Sequence, residues 1–229
     1  MRTRFPFGLT VAAAVAFVAL CALGVWQVER MQWKNNLVAM SDAVAGLSAS
    51  DIKTGFRRGE FARVAMDCPG LATAPYVELQ TIHDGEAGVR LISACRPANF
   101  SSAVLVDRGF VSETVSARPQ VVATTVPTRI EGQLRQPAPP GPMALPPEGN
   151  RFFARDHTAM AEALGVRPNV MPMMVYATIS SNPEWSALKP SAPPAAFSNN
   201  HLGYALTWFG LALALVGFYI VLLRRRLTS

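Results

Sequence analysis

His201 is the residue best placed to do chemistry in this chain. It stands directly before a charge-free apolar run, Leu202 to Leu223, which ends in Arg224, Arg225 and Arg226. A neutral imidazole ligates a metal through one ring nitrogen while a hydrogen bond holds the other. An ionisable group at a membrane boundary costs free energy unless something uses it, so position alone makes His201 a functional candidate. The competing reading is an interfacial histidine that caps a helix together with Asn199 and Asn200. Trp208 follows on almost the same helical face, and Tyr204 lies near that face. Aromatics there can flank a planar ligand, although they equally suit the belt that anchors spans at the headgroup level.

A second polar group lies near the other end of the chain. Trp26, Gln27, Arg30, Trp33 and Lys34 cluster just past an apolar stretch, Phe5 to Val28, that also lacks charge. Arg30 and Lys34 are one turn apart and can hold anionic groups or pair with a partner, or snorkel into headgroups with their stems along lipid. Gln27 can orient a ligand or bond to the other helix. Elsewhere the signals weaken. Arg108, in VDRGFV, precedes Gly109 at a possible strand bend and suits a structural salt bridge as well as a ligand. His157 follows a helix cap and is expected to face solvent or cap that helix, and His83 sits in a turn. No Ser-His-Asp order, phosphate loop, paired acid motif or zinc spacing stands out, so no enzyme is expected.

These residues need elements to position them. Each apolar stretch is long enough to cross a hydrocarbon core of ~30 Å as a helix. The chain is therefore expected to divide into a tail at 1–6, a span at 7–27, a water-exposed domain at 28–200, a second span at 201–223 and a tail at 224–229. The first run is too long for a secretory signal core, and Trp26-Gln27 stands where small residues would mark cleavage, so an uncleaved anchor is expected. Around that span Arg2 and Arg4 balance Arg30 and Lys34. Around the second, the triple arginine outweighs Lys189, which predicts cytoplasmic termini and an external middle. Much of the net charge of +6 comes from these flanks, so it is no footprint for nucleic acid. Of three cysteines, Cys21 lies in a span and should simply pack. Cys68 and Cys95 share an oxidising compartment, where a disulfide is permitted and remains open.

Between the spans, Trp26, Arg30, Trp33 and Leu37 keep helical spacing, so the first helix should run on to about Leu47. Gly55 to Gly59 reads as a turn. Strands are expected over 60–66, 76–82, 89–95, 103–111, 128–134, 151–154 and 173–179, with a turn at His83-Asp84-Gly85. Gln136 to Pro147 holds six prolines and must be a loop. Asp156 should cap a short helix that Gly165 ends, and Asn182 to Ala196 is a proline-rich connector. The expected fold class is membrane α+β: two transmembrane helices flanking a soluble, β-rich antiparallel α+β domain. On the second span Gly203, Thr207, Gly210, Ala214 and Gly217 form a small-residue stripe, and Ala12, Ala16 and Ala19 offer another on the first. Such stripes let helices approach closely, so the spans are expected to pack through them and leave the His201 face open.

Five islands occur in order: GVWQVERMQWK, VDRGFV, RIEGQL, NRFFARDHTAMAEALG and NNHLGYALTWFGLA. Together they resemble the surfeit locus protein 1, or Shy, family of assembly factors for haem-copper cytochrome c oxidase. The stretch from Ala65 to Ala87 departs from that pattern. The resemblance implies two spans, a domain outside the cytoplasm and transient handling of haem a for the oxidase catalytic subunit. With cytoplasmic termini the expected location is a bacterial inner membrane with a periplasmic middle, the mitochondrial counterpart being the intermembrane space. The haem a synthesis machinery is a possible further partner. Under it His201 would ligate the haem iron, and Tyr204, Trp208, Trp26, Gln27 and Arg30 would line the cofactor. The alternative is a haem-independent membrane scaffold that binds an unfinished oxidase subunit. Haem carrier and scaffold differ in what loss of His201 should do.

Overall fold

A computed structural model describes residues 5–98, 100–191 and 199–228. Arg2, Arg4 and the last part of the proline-rich connector, residues 192–196, lie outside them. The chain divides into two compact units, one built from the terminal helices and the other spanning Met40–Pro194.

The terminal unit pairs α1 (Phe7–Ala45) with α4 (His201–Thr228). Both are long and apolar enough to cross a bilayer. Helix α1 ends at Ala45, close to the expected end near Leu47. At 1.5 Å per residue it is about 58 Å long, well beyond the hydrocarbon core. The helices run antiparallel, as a ladder of contacts shows. Tyr219 Oη lies 2.7 Å from Thr10 Oγ1, Phe209 covers Gly24, and His201 Nδ1 is 2.6 Å from Gln27 Oε1. Asn199 Nδ2 donates to Asn35 Oδ1 at 2.9 Å and to the Met31 carbonyl at 3.3 Å.

The packed face is not the one the glycines marked. A Cβ built on Gly203, Gly210 or Gly217 meets nothing within 4 Å, and Thr207, Ala214, Ala12, Ala16 and Ala19 are all exposed. The α4 face turned inward carries His201, Ala205, Trp208, Ala212, Leu215 and Tyr219, with Ala205 and Ala212 buried and the rest half-buried. Small residues do supply the close approach, but they are Ala205, Ala212 and Gly24. The reason is polar. Pairing Thr10 with Tyr219 and Gln27 with His201 gives each polar side chain a partner in or beside an apolar span, and those pairs select the rotation.

In the second unit the described residues form one seven-stranded sheet: β1 (Arg63–Asp67), β2 (Tyr76–His83), β3 (Glu86–Cys95), β4 (Ala103–Ser112), β5 (Arg129–Arg135), β6 (Arg151–Phe152) and β7 (Val170–Ala177). They stand in the order β1-β5-β7-β4-β3-β2-β6. All seven expected strands are present, but the sheet is mixed rather than antiparallel, because β4–β7 and β2–β6 pair in parallel. Asp84 and Gly85 both take positive φ, 50° and 83°, which gives the tight β2–β3 hairpin its twist.

Two short helices cover opposite faces. Helix α3 (His157–Ala163) is capped by Asp156, whose carboxylate accepts from the Ala159 amide, and Gly165 at φ 67° follows its end. Helix α2 (Ile52–Arg58) replaces the expected turn at Gly55–Gly59. Asp51 caps it by accepting from the Lys53 and Thr54 amides. Gly55 is there for contact rather than for turning, since a Cβ would sit 2.1 Å from Val64 Cγ1. Gly59, at φ 92°, does terminate the helix. One core face gathers Ile52, Val64, Val104, Val106, Ile130 and Leu134 around the Cys68–Cys95 disulfide. The other gathers Leu79, Ile92, Leu105, Met160 and Met174 beneath α3. Cys21 remains a free thiol on α1.

The packing of α1 on α4 predicts an asymmetry between glycines. A Cβ on Gly24 would lie 2.7 Å from the Phe209 ring, so Gly24→Val should lower the yield of thiol cross-linking between Ala13→Cys and Leu215→Cys at least severalfold. Gly203→Leu and Gly210→Leu, which point into open space, should leave that yield unchanged.

Candidate functional site

Four of the sequence-predicted residues, His201, Trp26, Gln27 and Arg30, lie at one end of the helix pair. His201 is the first residue of α4, half-buried, with Nδ1 directed at the Gln27 side-chain oxygen. Trp26 sets its ring edge-on to the imidazole, centroids 6.5 Å apart at 82°. The Asn199 side-chain amide ties the entry of α4 to Asn35 and Met31. One helical turn past Trp26, the Arg30 guanidinium lies 3.9 Å over the Trp33 ring. Lys34 is half-buried on the same helix.

Not every predicted residue joins this group. Trp208 is half-buried two turns along the His201 face, whereas Tyr204 is 58 % exposed. Among the described residues the ring packed on the imidazole is that of Trp26. What the arrangement can do follows from its chemistry. It offers one imidazole, an amide oxygen, an exposed indole and two cations at the edge of an apolar span. That set suits a partly apolar ligand carrying anionic groups and a metal. Asn35 was missed by sequence reasoning. Its signal was its position one turn beyond Met31 on the inward side of the α1 extension.

Arg108 belongs to a different construction in the second unit. It is fully buried in β4, a strand buried at every position. Its guanidinium donates to Ser181 Oγ at 2.9 Å, Ser93 Oγ at 3.4 Å, the Ala72 carbonyl at 2.9 Å and Asn182 Oδ1. No carboxylate is among these partners, so the structural role is met by neutral oxygens rather than by the salt bridge that is one of the two sequence readings. Burial pushes the guanidinium down to about 10, still charged at neutral pH. On the other side of β4, Asp107 takes a 2.5 Å ion pair from Arg90 Nε and accepts the Gly109 amide at 3.1 Å. Arg90 also donates to the Ser191 carbonyl at 2.5 Å.

A bulge makes this geometry possible. Arg108 and Gly109 together oppose Leu91, since Arg90 pairs with Phe110 while Ile92 pairs with Asp107. Gly109 at φ 133° has no room for a Cβ, which would lie 2.5 Å from the Lys189 carbonyl. Phe110 and Lys189 exchange two backbone hydrogen bonds of 2.8 Å there. VDRGFV therefore builds the domain rather than a ligand site, and the bend expected at Gly109 is this bulge.

The remaining histidines are dispersed. The His83 ring lies 5.2 Å from that of Phe110, tilted by 41°, and His83 is 3.6 Å from Asp84. His157 is not the solvent-facing group expected: it is half-buried, and its Nε2 is enclosed without a protein partner. Burial pushes its imidazole below the ordinary 6.5, against a Met171 backbone hydrogen bond and the Asp156 carboxylate, while Arg167 adds to the depression. Among the described residues no cluster of three or more His, Cys, Asp or Glu side chains is arranged to hold a metal ion.

The class is thus a membrane protein with two apolar terminal helices around a mixed-sheet domain, its candidate site at the helix boundary. Residues 14–213 match the SURF1 family model, and the chain belongs to that family. It is similar to the SURF1-like protein of Monosiga brevicollis, 26 % identical over 91 % of this chain and 85 % of that one. Surfeit locus protein 1 of Takifugu rubripes is 24 % identical over 84 % and 87 % of the two chains. The Homo sapiens protein of that name is 25 % identical over 86 % and 71 %.

Two predictions follow from the buried charges. Arg90→Met strands the Asp107 carboxylate in the core and should cost about 3–5 kcal/mol, read as a lowered denaturant midpoint. For His157 the unfolded chain binds more protons than the folded one in the window just beneath pH 6.5. Stability should therefore rise with pH across that window and fall as the pH drops through it. His157→Gln should flatten this slope in denaturant titrations repeated at stepwise lower pH.

Proposed function

We propose that this chain is an assembly factor for haem-copper cytochrome c oxidase that holds or positions haem a for insertion into the catalytic subunit. Membership of the SURF1 family supports the assembly role. The observation that carries the haem reading is His201, an imidazole set between two helices at the edge of a charge-free span. The donor set fits the group. His201 would ligate the iron, Arg30 and Lys34 would meet the propionates, and Trp26 offers an exposed indole to the macrocycle. Haem a, when bound, supplies an iron that accepts an imidazole nitrogen, a farnesyl tail suited to lipid and two propionates suited to water and cations. On this reading the chain's own residues bind and orient the group.

Placement follows the same reading. The protein would sit in a bacterial inner membrane with tails 1–6 and 224–229 cytoplasmic, spans at 7–27 and 201–223, and residues 28–200 periplasmic. Two features support this: the Cys68–Cys95 disulfide needs an oxidising compartment, and Arg224 to Arg226 follow the second span. Partners would be the oxidase catalytic subunit, the haem a synthesis machinery and membrane lipid.

A second reading has its own observation. His201 already bonds to Gln27 across the helix pair, which is what a haem-independent scaffold would require of it. Reduced-minus-oxidised spectra and oxidase activity of membranes separate the two. In a deletion strain, wild type should restore the a-type band, whereas His201→Ala and His201→Gln should not. His201→Gln keeps a polar partner for Gln27, so full restoration by it would favour the scaffold.

A further inference from the structure

We infer that Gln27 is a positioning residue that fixes the tautomer and ring orientation of His201, so that Nε2 is the nitrogen presented to metal. The inference rests on the reading of His201 as a haem ligand and assigns a role to a side chain that need not touch the haem. The argument is one of donors and acceptors. The contact is between His201 Nδ1 and the Gln27 side-chain oxygen, at 2.6 Å. An amide oxygen only accepts, so Nδ1 must carry the proton and donate it. In the neutral ring the lone pair then falls on Nε2, the nitrogen at the far end of the side chain. A neutral histidine in water favours the opposite tautomer, so Gln27 reverses the intrinsic preference.

Neighbouring contacts hold the ring in that pose. Trp26 packs edge-on against the imidazole, and Asn199 anchors the residues just before it to α1. Gln27 and Trp26 are adjacent on α1, so one short stretch of that helix controls both the proton and the plane of a residue on α4. Metal-bound histidines generally donate their second ring N–H to an oxygen acceptor, which fixes the tautomer and raises ligand basicity. A neutral amide acceptor raises it less than a carboxylate would.

The test uses the full chain in lipid nanodiscs. Nitrogen-15 spectra of histidine-labelled, haem-free protein, with His201→Gln for assignment, should show His201 protonated at Nδ1 and bare at Nε2. Gln27→Leu should move the proton to Nε2. With haem a added, Gln27→Leu should weaken retention about 10–100-fold, and Gln27→Glu should lower the reduction potential of the bound haem. A role confined to helix pairing would leave the reduction potential of bound haem unmoved by Gln27→Glu. A proton on Nε2 in the wild type, or wild-type haem binding matched by Gln27→Leu with an unchanged tautomer, overturns the inference while leaving the proposed function standing. A wild type that takes up no haem a overturns both.

Discussion

A polar side chain taken out of water costs several kcal/mol unless another polar group replaces the water, and both units are arranged around that constraint. In the domain it falls on β4, which is buried at every position yet carries Asp107 and Arg108 side by side. Neighbouring residues of a strand point to opposite faces, so each must be satisfied in a different core. Asp107 meets Arg90 on the α3 side, and Arg108 meets neutral oxygens on the α2 side. Burying two charges this way adds little net stability. It does tie β4, β3, the Leu71–Thr73 turn and the Ser181–Ser191 segment into one register.

The helix pair obeys the same rule in a harsher solvent. Apolar packing between helices is nearly matched by packing against lipid, so it discriminates weakly among rotations. Hydrogen-bonded pairs discriminate more. Thr10 with Tyr219 and Gln27 with His201 lie near opposite ends of the contact and fix the face that α4 turns inward. The glycine stripe is left facing outward. Its spacing was legible, but smallness only permits a close approach and does not require one. Ala205, Ala212 and Gly24 give the same permission on the face that the polar pairs chose.

One consequence is functional. The residue with the strongest claim to chemistry is also a principal bond between the helices, so on the proposed reading any ligand taken by His201 would act on helix pairing as well. A ligand that takes one imidazole nitrogen leaves the other to Gln27, and the two roles then reinforce each other. His157 differs. Its buried, unpartnered nitrogen makes it a cost that grows on acidification, which is a property of the domain and not of the membrane site.

The sequence by itself determined the spans, the seven strands, the hairpin at Asp84-Gly85, the cap at Asp156 and the residues gathered at the membrane boundary. Each of these depends on near neighbours in the chain: apolar run length, alternation, positive-φ residues and capping side chains. The helix at Ile52–Arg58 escaped because Gly55, read as a turn, answers to Val64 across a contact. Mixed strand pairing escaped because β4–β7 joins segments far apart in the chain. The partners of Asp107 and Arg108, the Cys68–Cys95 bond and the face of α4 turned toward α1 were likewise decided only by the tertiary structure. Each is a choice among partners distant in sequence, and burial makes that choice by leaving unsatisfied every polar group not brought to its mate.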